Sequence, residues 1–316
     1  MTALATLLAE HDDWLSVERG LAVNSLEAYR RDLRRYTAFL KARGTTDPRR
    51  VGEDTVYEFV AHLEGLVDDD GGRLLAPSSV ARALVAVRSF HRFCASEGLL
   101  PNDPTEEVGA PRIPQGIPKA LDEDDIEALL AAVEGNMPRA QRDRALLETL
   151  YATGIRISEA VGLDLGDIDL EDGLLRVLGK GDKERVVPVG RSARRALETY
   201  TRDGRLHLRA ARRSARDPDA VFLNARGGRI SRQACWGIVQ RAGTRVGLTE
   251  RLSPHVLRHS CATHMLDHGA DLRVVQELLG HASISTTQVY TKVSPDRLRA
   301  VYEAAHPRAR RAPSPR

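Results

Sequence analysis

Arg156, Lys180, His255, Arg258, His281 and Tyr290 are side chains that handle phosphate or metal, and all six fall in the second half of the sequence. Two of them, His255 and Arg258, crowd with His259 into "SPHVLRH", Ser253–His259. Ser253 is a good helix N-cap and Pro254 suits the first helical position. His255 and Arg258 then lie three apart on one face of the opening turn. The unbonded N–H groups and the positive dipole end of a helix start favour an anion there. An imidazole donor and a guanidinium fork strengthen that preference. Zinc is the competing chemistry. His255 and His259 are four apart, as are His264 and His268, but at about 100° per residue the two pairs face opposite sides of one helix. No Glu follows His255 and no cysteine sits at ligand spacing, so the sequence favours phosphate over metal. His264 and His268 read as ordinary core or surface histidines.

The other members of the set need particular elements to present them. In "TGIRISEAVGL" Arg156 follows a glycine where a new helix starts, and Glu159 is placed to orient its guanidinium. "LLRVLGKGDKERVVPVG" changes period: apolar residues cluster at Leu174–Leu178 and Val186–Val189 around "GKGDK". That pattern predicts a hairpin with Lys180 at its tip, between two glycines. Gly280 stops a helix and puts His281 just beyond it, with Tyr290 one short helix later in "SISTTQVYTK". "DAVFLNARGG" reads as a third short strand. Helices are expected at "LDEDDIEALLAAVE", "QRDRALLETLYATG", "SRQACWGIVQRAG", "SPHVLRHSCATHMLDHG" and "DLRVVQELLG".

The first hundred residues read as helical. "NSLEAYRRDLRRYTAFLKARG" offers Asn24 or Ser25 as cap, an apolar stripe of Leu26, Tyr29, Leu33, Tyr36 and Leu40, and a stop at Gly44. "PSSVARALVAVRSFHRFCASEG" repeats the pattern, with Ser78 or Ser79 as cap and Gly98 as stop. Arginines lie off both stripes: Arg30 and Arg34 in the first helix, Arg82, Arg88 and Arg92 in the second. Such arginines usually sit on solvated faces and become candidate phosphate contacts if the second half handles DNA. Arg232, in "SRQACWGIVQRAG", joins that group. "PNDPTEEVGAPRIPQGIPK" contains five prolines, too many for a helix or a central strand. The expected organisation is an N-terminal helical domain over 1–108, a linker over 109–119, a second domain over 120–306, and a basic tail over 307–316. The fold class expected is mainly α with one small antiparallel β-sheet.

The 316 residues are 42% hydrophobic but only 4% aromatic, so the cores must be built from Leu, Val, Ala and Ile. The net charge of +3 conceals an acidic N-terminal region and a basic C-terminal one, a distribution that suits a polyanionic partner. The three cysteines, Cys94, Cys235 and Cys261, are far apart and odd in number, which fits a reducing cytoplasm. The start "MTALATLLAEHDD" has no basic region of a signal peptide, and no apolar run reaches membrane-span length, so no membrane association is expected.

Taken together, the six residues resemble the catalytic set of the tyrosine recombinases in order and spacing. "YATGIRISEAVGL", "GKGDKERVVPVG", "SPHVLRHSCATHMLDHGADLRVVQELLGH" and "STTQVYTKV" look like the Xer branch of that family, which resolves chromosome dimers. The likeness runs over nearly the whole chain, and all six positions are filled. It implies a two-domain DNA clamp: an N-terminal SAM-like core-binding domain and a C-terminal catalytic domain. It also implies double-stranded DNA carrying a dif-like site, a XerC-like partner recombinase in a heterotetramer, a Holliday-junction intermediate, and activation by an FtsK-type DNA translocase. A C-terminal helix, here Pro295 to Ala305, is expected to pack into a neighbouring subunit.

The chemistry of such an enzyme matches the residues. A side-chain hydroxyl that attacks a phosphodiester stores the bond energy as a phosphoester, where water would dissipate it. Tyr290 is the expected nucleophile, since a phenolate leaves more readily than an alkoxide. Arg156 and Arg258 are expected to hold the non-bridging oxygens, with His281 or His255 adding a hydrogen bond. Lys180 is the expected general acid for the departing 5′-oxygen. The sequence has neither a phosphate loop for ATP nor a carboxylate cluster, so no cofactor is expected. Rivals remain open at this level: a type IB topoisomerase, a metal-dependent nuclease, a DNA-binding protein without activity, the XerC-type partner subunit, and a phage or transposon integrase.

Overall fold

The computed structural model describes residues 3–45, 47–109, 120–179, 183–210, 219–280 and 294–310. The chain divides into two compact units, Met1–Gln115 and Gly116–Arg316, and the division falls within the proline-rich stretch.

The first unit contains α1 (Ala3–Asp13), α2 (Val23–Ala42), α3 (Glu53–Glu64) and α4 (Pro77–Ser96). Its core forms where the apolar stripes of α2, α3 and α4 meet, around Tyr36, Leu40, Phe59, Leu63, Leu84 and Phe90, all essentially inaccessible. Both long helices start earlier than the Asn and Ser candidates suggest. The caps are Ala22 and Ala76, each extended and each without a side-chain hydrogen bond. At α4 the reason is Pro77, whose fixed φ and missing N–H suit the first helical position. Buried polar groups find partners across helices. Tyr36 Oη lies 2.8 Å from His91 Nε2, and His11 Nε2 lies 3.0 Å from Ser89 Oγ.

Three of the five arginines expected as DNA contacts here are engaged within the unit. Arg30 forms a bidentate pair with Asp12 at 2.7 and 2.6 Å. Arg82 pairs with the fully buried Asp32 at 2.8 and 3.2 Å, and Arg35 reaches the same carboxylate at 3.0 Å. Arg88 is half-buried and donates to the Val108 carbonyl, which differs from the exposed cation expected. Arg34 and Arg92 are exposed. Asp32 thus fastens α2 to α4 while both of its arginines keep a surface-facing side, with side chains 37% and 45% exposed. Asp32→Asn is expected to lower the stability of this unit by about 2 kcal/mol, the scale of hydrogen bonds to a buried charge. Urea denaturation read through Trp14 in a Trp236→Phe background measures this, and an unchanged midpoint would contradict the fastening role.

The second unit contains α5 (Glu123–Ala131), α6 (Pro138–Thr153), α7 (Ile157–Gly162), strands β1 (Ile168–Asp169), β2 (Leu174–Leu178) and β3 (Glu184–Pro188), then α8 (Arg191–Thr199), α9 (Arg205–Ala210), α10 (Arg232–Arg245), α11 (Pro254–Asp267), α12 (Leu272–Leu279), α13 (Pro295–Ala305) and α14 (Pro307–Arg310). The strands are antiparallel in the order β1-β2-β3, with Leu174 opposite Pro188 and Leu178 opposite Glu184. The expected hairpin is present; its tip, residues 180–182, lies outside the described residues. The third strand is β1 and not "DAVFLNARGG". That segment makes only isolated bridges, Asp164 to Ala220 and Leu223 to Arg229. Side chains take the backbone bonds a strand partner would need: Arg205 donates to the Ala220 carbonyl and Tyr200 Oη accepts from Leu223 N. Asn224 folds the remainder into a turn by accepting from Arg226 N at 2.8 Å.

Helix α6 is buried along nearly its whole last half and forms the axis of the core. The C-terminal helix α13 has the expected bounds and is capped by Ser294, but its apolar face packs within its own unit. Leu298, Tyr302 and Ala305 are buried there, and Tyr302 Oη accepts from Gly190 N at 2.9 Å. Burial of a side chain the size of Leu298 contributes about 1.5–3 kcal/mol, which makes this seat a stable one. The expected basic tail also begins as structure. Pro307–Arg310 form α14, and Arg308 makes a two-point pair with the buried Glu148; residues 311–316 lie outside the described residues. Burial raises the Glu148 carboxyl above its ordinary pKa, and the charge of Arg308 opposes that rise.

Candidate active site

Helix α11 places Arg258. Its N-cap Ser253 accepts from Val256 N at 3.2 Å, with Pro254 at the first helical position. Its body is pinned to Leu121, near the beginning of the unit. Ser260 Oγ accepts from Leu121 N at 2.9 Å, and His264 Nε2 lies 2.8 Å from the Leu121 carbonyl. That contact makes Nε2 the donor, so Nδ1 accepts from Tyr151 Oη at 2.8 Å. His264 is therefore a core residue, while the exposed His268 faces Glu123 at 3.3 Å. Arg258 itself is buried. One guanidinium nitrogen donates to the Gly154 carbonyl at 2.7 Å and the other to the Leu279 carbonyl at 2.5 Å.

Arg156 sits at the N-cap of α7, just after the turn at Gly154. Gly154 has φ +58°, and a Cβ there would come within 2.5 Å of Leu279 Cδ2, so the turn strongly favours glycine. Glu159 fixes Arg156 twice: it accepts from the Arg156 amide at 2.7 Å and from the guanidinium at 3.0 Å. The same guanidinium reaches the Gly280 carbonyl at 3.3 Å. The spacing of Arg156 and Glu159 thus has the consequence expected from sequence. Arg185, on β3, was not anticipated. It forms a two-point pair with Glu159, both contacts at 2.9 Å, and its Nε donates to the Leu278 carbonyl at 3.0 Å.

The result is an ordered pattern at the end of α12. The carbonyls of Leu278, Leu279 and Gly280 accept from Arg185, Arg258 and Arg156 respectively. These are groups a helix C-terminus leaves without intrahelical partners, at its negative dipole end. Gly280 has φ +68°, and a Cβ there would lie 3.2 Å from the Arg185 guanidinium, so backbone and neighbour both call for glycine. Electrostatically, three guanidinium groups surround one carboxylate. Burial alone would raise the Glu159 pKa, but hydrogen bonds and charge from Arg185 and Arg156 outweigh it and hold the carboxyl below its ordinary value. Arg258 is lowered to about 10, chiefly by burial and then by the charge of Arg156, and so stays protonated at neutral pH. The cluster keeps a positive excess, a site suited to an incoming phosphate.

His255 is exposed on the first turn of α11, and Arg232 is exposed on the first turn of α10. Lys180, His281 and Tyr290 lie outside the described residues. The structure therefore brings together Arg156, Arg258, Glu159 and Arg185, and it carries the chain to Gly280, one residue before His281. Arg185 left one trace in the sequence. It occupies the same side of β3 as the buried Val187, an inward position where an arginine needs an anionic partner. Among the described residues no three His, Cys, Asp or Glu side chains gather as a metal site, and no helix is long and apolar enough to cross a membrane.

A helical unit followed by a mainly helical unit with a small sheet, and an arginine cluster at the end of α12, define a class. The chain belongs to the phage integrase family, the tyrosine recombinases: the family's catalytic domain matches residues 119–297 and its N-terminal SAM-like domain matches residues 8–98. Among curated relatives, "Tyrosine recombinase XerD" of Mycobacterium tuberculosis (strain ATCC 25618 / H37Rv) is 52% identical over 314 residues, covering 98% of this chain and 100% of that one. The XerD of Mycobacterium leprae is 49% identical over 312 residues, covering 98% and 99%. That of Halalkalibacterium halodurans is 44% identical over 294 residues, covering 93% and 95%. The fold is shared with the XerH site-specific recombinase bound to its difH substrate in a pre-cleavage complex, at TM-score 0.63, 24% identity, and coverage of 94% and 83%. It is shared as well with a lambda integrase(75-356) dimer bound to a COC' core site, at TM-score 0.67, 17% identity, and coverage of 93% and 100%.

Proposed function

We propose that this tyrosine recombinase is a site-specific enzyme of the XerD type that cuts and rejoins DNA at a dif-like site and so resolves chromosome dimers during segregation and cell division. The observation that carries this reading is the convergence of Arg156 and Arg258 on the turn that leads into His281. The names of the relatives support the XerD assignment.

The reaction follows from the residues. Tyr290 Oη attacks the scissile phosphorus, loses its proton, and becomes esterified to the 3′-phosphate. Negative charge gathers on the non-bridging oxygens, where Arg156 and Arg258 meet it with guanidinium groups already fixed by the fold, so little reorganisation is needed. His255 or His281 adds a hydrogen bond. Lys180 protonates the departing 5′-oxygen. A 5′-hydroxyl from the partner strand then attacks the phosphotyrosine, releases the phenol, and forms a Holliday junction. Nothing in these steps consumes ATP.

In this reading both units contact the duplex, through Arg34, Arg92 and Arg232 and through the outward sides of Arg30, Arg82 and Arg88. The resemblance to the Xer branch supports a XerC-like partner in a heterotetramer, an FtsK-type translocase as activator, and action in the cytoplasm. An assembly in which α13 docks on a neighbouring subunit requires that helix to leave the seat described above.

The test is incubation with a nicked dif-like duplex whose short 5′ fragment diffuses away after cleavage. An SDS-resistant protein–DNA adduct is expected, formed in EDTA. A supercoiled plasmid without such a site should stay supercoiled. Efficient relaxation of that plasmid would point to a topoisomerase, and EDTA-sensitive cleavage without an adduct would point to a nuclease.

A further inference from the structure

We infer that Arg185 is a positioning residue of the cleavage reaction, holding Glu159, and through it Arg156, in register with the turn that leads into His281. The inference rests on the function proposed above.

A phosphate-binding guanidinium has to be held in place before the substrate arrives. Arg156 is poorly equipped to hold itself: its side chain is 38% exposed, and among the described residues its contact outside α7 is the 3.3 Å approach to the Gly280 carbonyl. Its firm partner is Glu159, whose side chain is only 4% exposed. A buried carboxylate has four lone-pair sites to fill. Arg156 fills two, with its amide on Oε2 and its guanidinium on Oε1; Arg185 fills the other two, one nitrogen on each oxygen. Arg185 therefore fixes the plane of the carboxylate, and with it the direction in which Oε1 pulls Arg156.

Arg185 has a second hold. Its Nε donates to the Leu278 carbonyl, and its guanidinium packs against Gly280. One side chain on β3 thus links the carboxylate that orients Arg156 to the backbone just before His281. The strand itself pairs with β2, and Lys180 lies in the sequence between the two, outside the described residues. Glu159 and the end of α12, far apart in sequence, meet at this guanidinium. Arg185 is bonded on its nitrogens to protein acceptors and is only 15% exposed, so its role is to orient and not to touch DNA.

The experiment compares single-turnover cleavage of nicked dif-like duplexes that carry either an ordinary scissile phosphate or a methylphosphonate. The methyl group removes the negative charge that Arg156 must neutralise. Arg185→Ala is expected to slow cleavage of the ordinary substrate about a hundredfold, the scale for misplacing a reacting group by an ångström, and to fall short of the parent by at least tenfold less on the methylphosphonate. A variant damaged only in its folding would be equally impaired on both substrates. Arg185→Lys keeps the charge but cannot form the two-point pair, so it should show a smaller defect with the same relief; it also serves if the alanine variant does not fold. No slowing on the ordinary substrate, or relief smaller than tenfold, would overturn the inference. Parent and Arg156→Ala are run alongside. A parent that forms no adduct would refute the proposed function itself. Relief for Arg156→Ala without relief for either Arg185 variant would refute the positioning role alone.

Discussion

Tyr290→Phe is expected to bind a dif-like duplex as tightly as the parent chain and to form no covalent adduct with it. The substitution removes one oxygen and keeps the ring. DNA affinity comes from many contacts between cationic side chains and phosphates, so the loss of a phenol should leave it unchanged at any given salt concentration. Cleavage is different, because in the proposed reaction the phenol oxygen is the atom that bonds to phosphorus. Without it the guanidinium groups still hold the phosphate, and only water is available to attack. A fall of about 10⁴-fold or more is the scale expected when a covalent nucleophile is removed from an otherwise intact site. The measurement is the SDS-resistant complex on a nicked suicide duplex, with mass spectrometry of the trapped peptide from the parent. An adduct formed by the phenylalanine variant, or nucleotide attached to another residue of the parent, would remove Tyr290 from this role.

The parts of the site readable in sequence are those whose logic is local. Ser253 and Pro254 announce the start of α11 within two residues, and Arg156 and Glu159 announce each other because three residues on a helix start bring side chains together. Ser294 and Pro295 mark the start of α13 in the same local way, although its expected bounds came from the family resemblance. What stayed hidden depends on pairings across long stretches of chain. Arg185 becomes important only once β3 is known to turn that side inward beside α7 and the end of α12. Asp12 and Asp32 claim Arg30 and Arg82 from other helices or other turns, so an arginine off an apolar stripe did not reveal its partner. "DAVFLNARGG" has the composition of a strand, but Arg205 and Tyr200 reach its backbone first. The C-terminal helix shows the same division: its limits are local, whereas its seat on its own unit depends on the glycine at 190. A Cβ there would come within 2.7 Å of Tyr302 Oη.

Arg258→Lys tests whether the guanidinium is needed as a shape or only as a charge. Arg258 spans two carbonyls, Gly154 on the turn before Arg156 and Leu279 on the turn before His281, and in the proposed reaction it must also face a phosphate. An ammonium on a shorter stem is a single point donor and cannot hold both carbonyls in the same geometry. Loss of one fixed donor to the developing charge raises the barrier by about 3–4 kcal/mol, a fall of a few hundredfold in the rate of adduct formation. The variant should also lose activity at a lower pH than the parent does. Burial and the charge of Arg156 lower even an arginine here to about 10. A lysine starts from an ordinary value near 10.4, and the same surroundings move it downward toward the working range. The protonated form is the active one, so activity should be greatest at the low-pH end and decline as pH rises through the lowered lysine pKa. Single-turnover cleavage from neutral to alkaline pH gives both readouts. A lysine variant with the parental rate would mean that charge alone suffices at this position. A slow variant whose alkaline decline matches the parent's would mean that its ammonium has escaped to solvent, leaving the two carbonyls that Arg258 joins without their common donor.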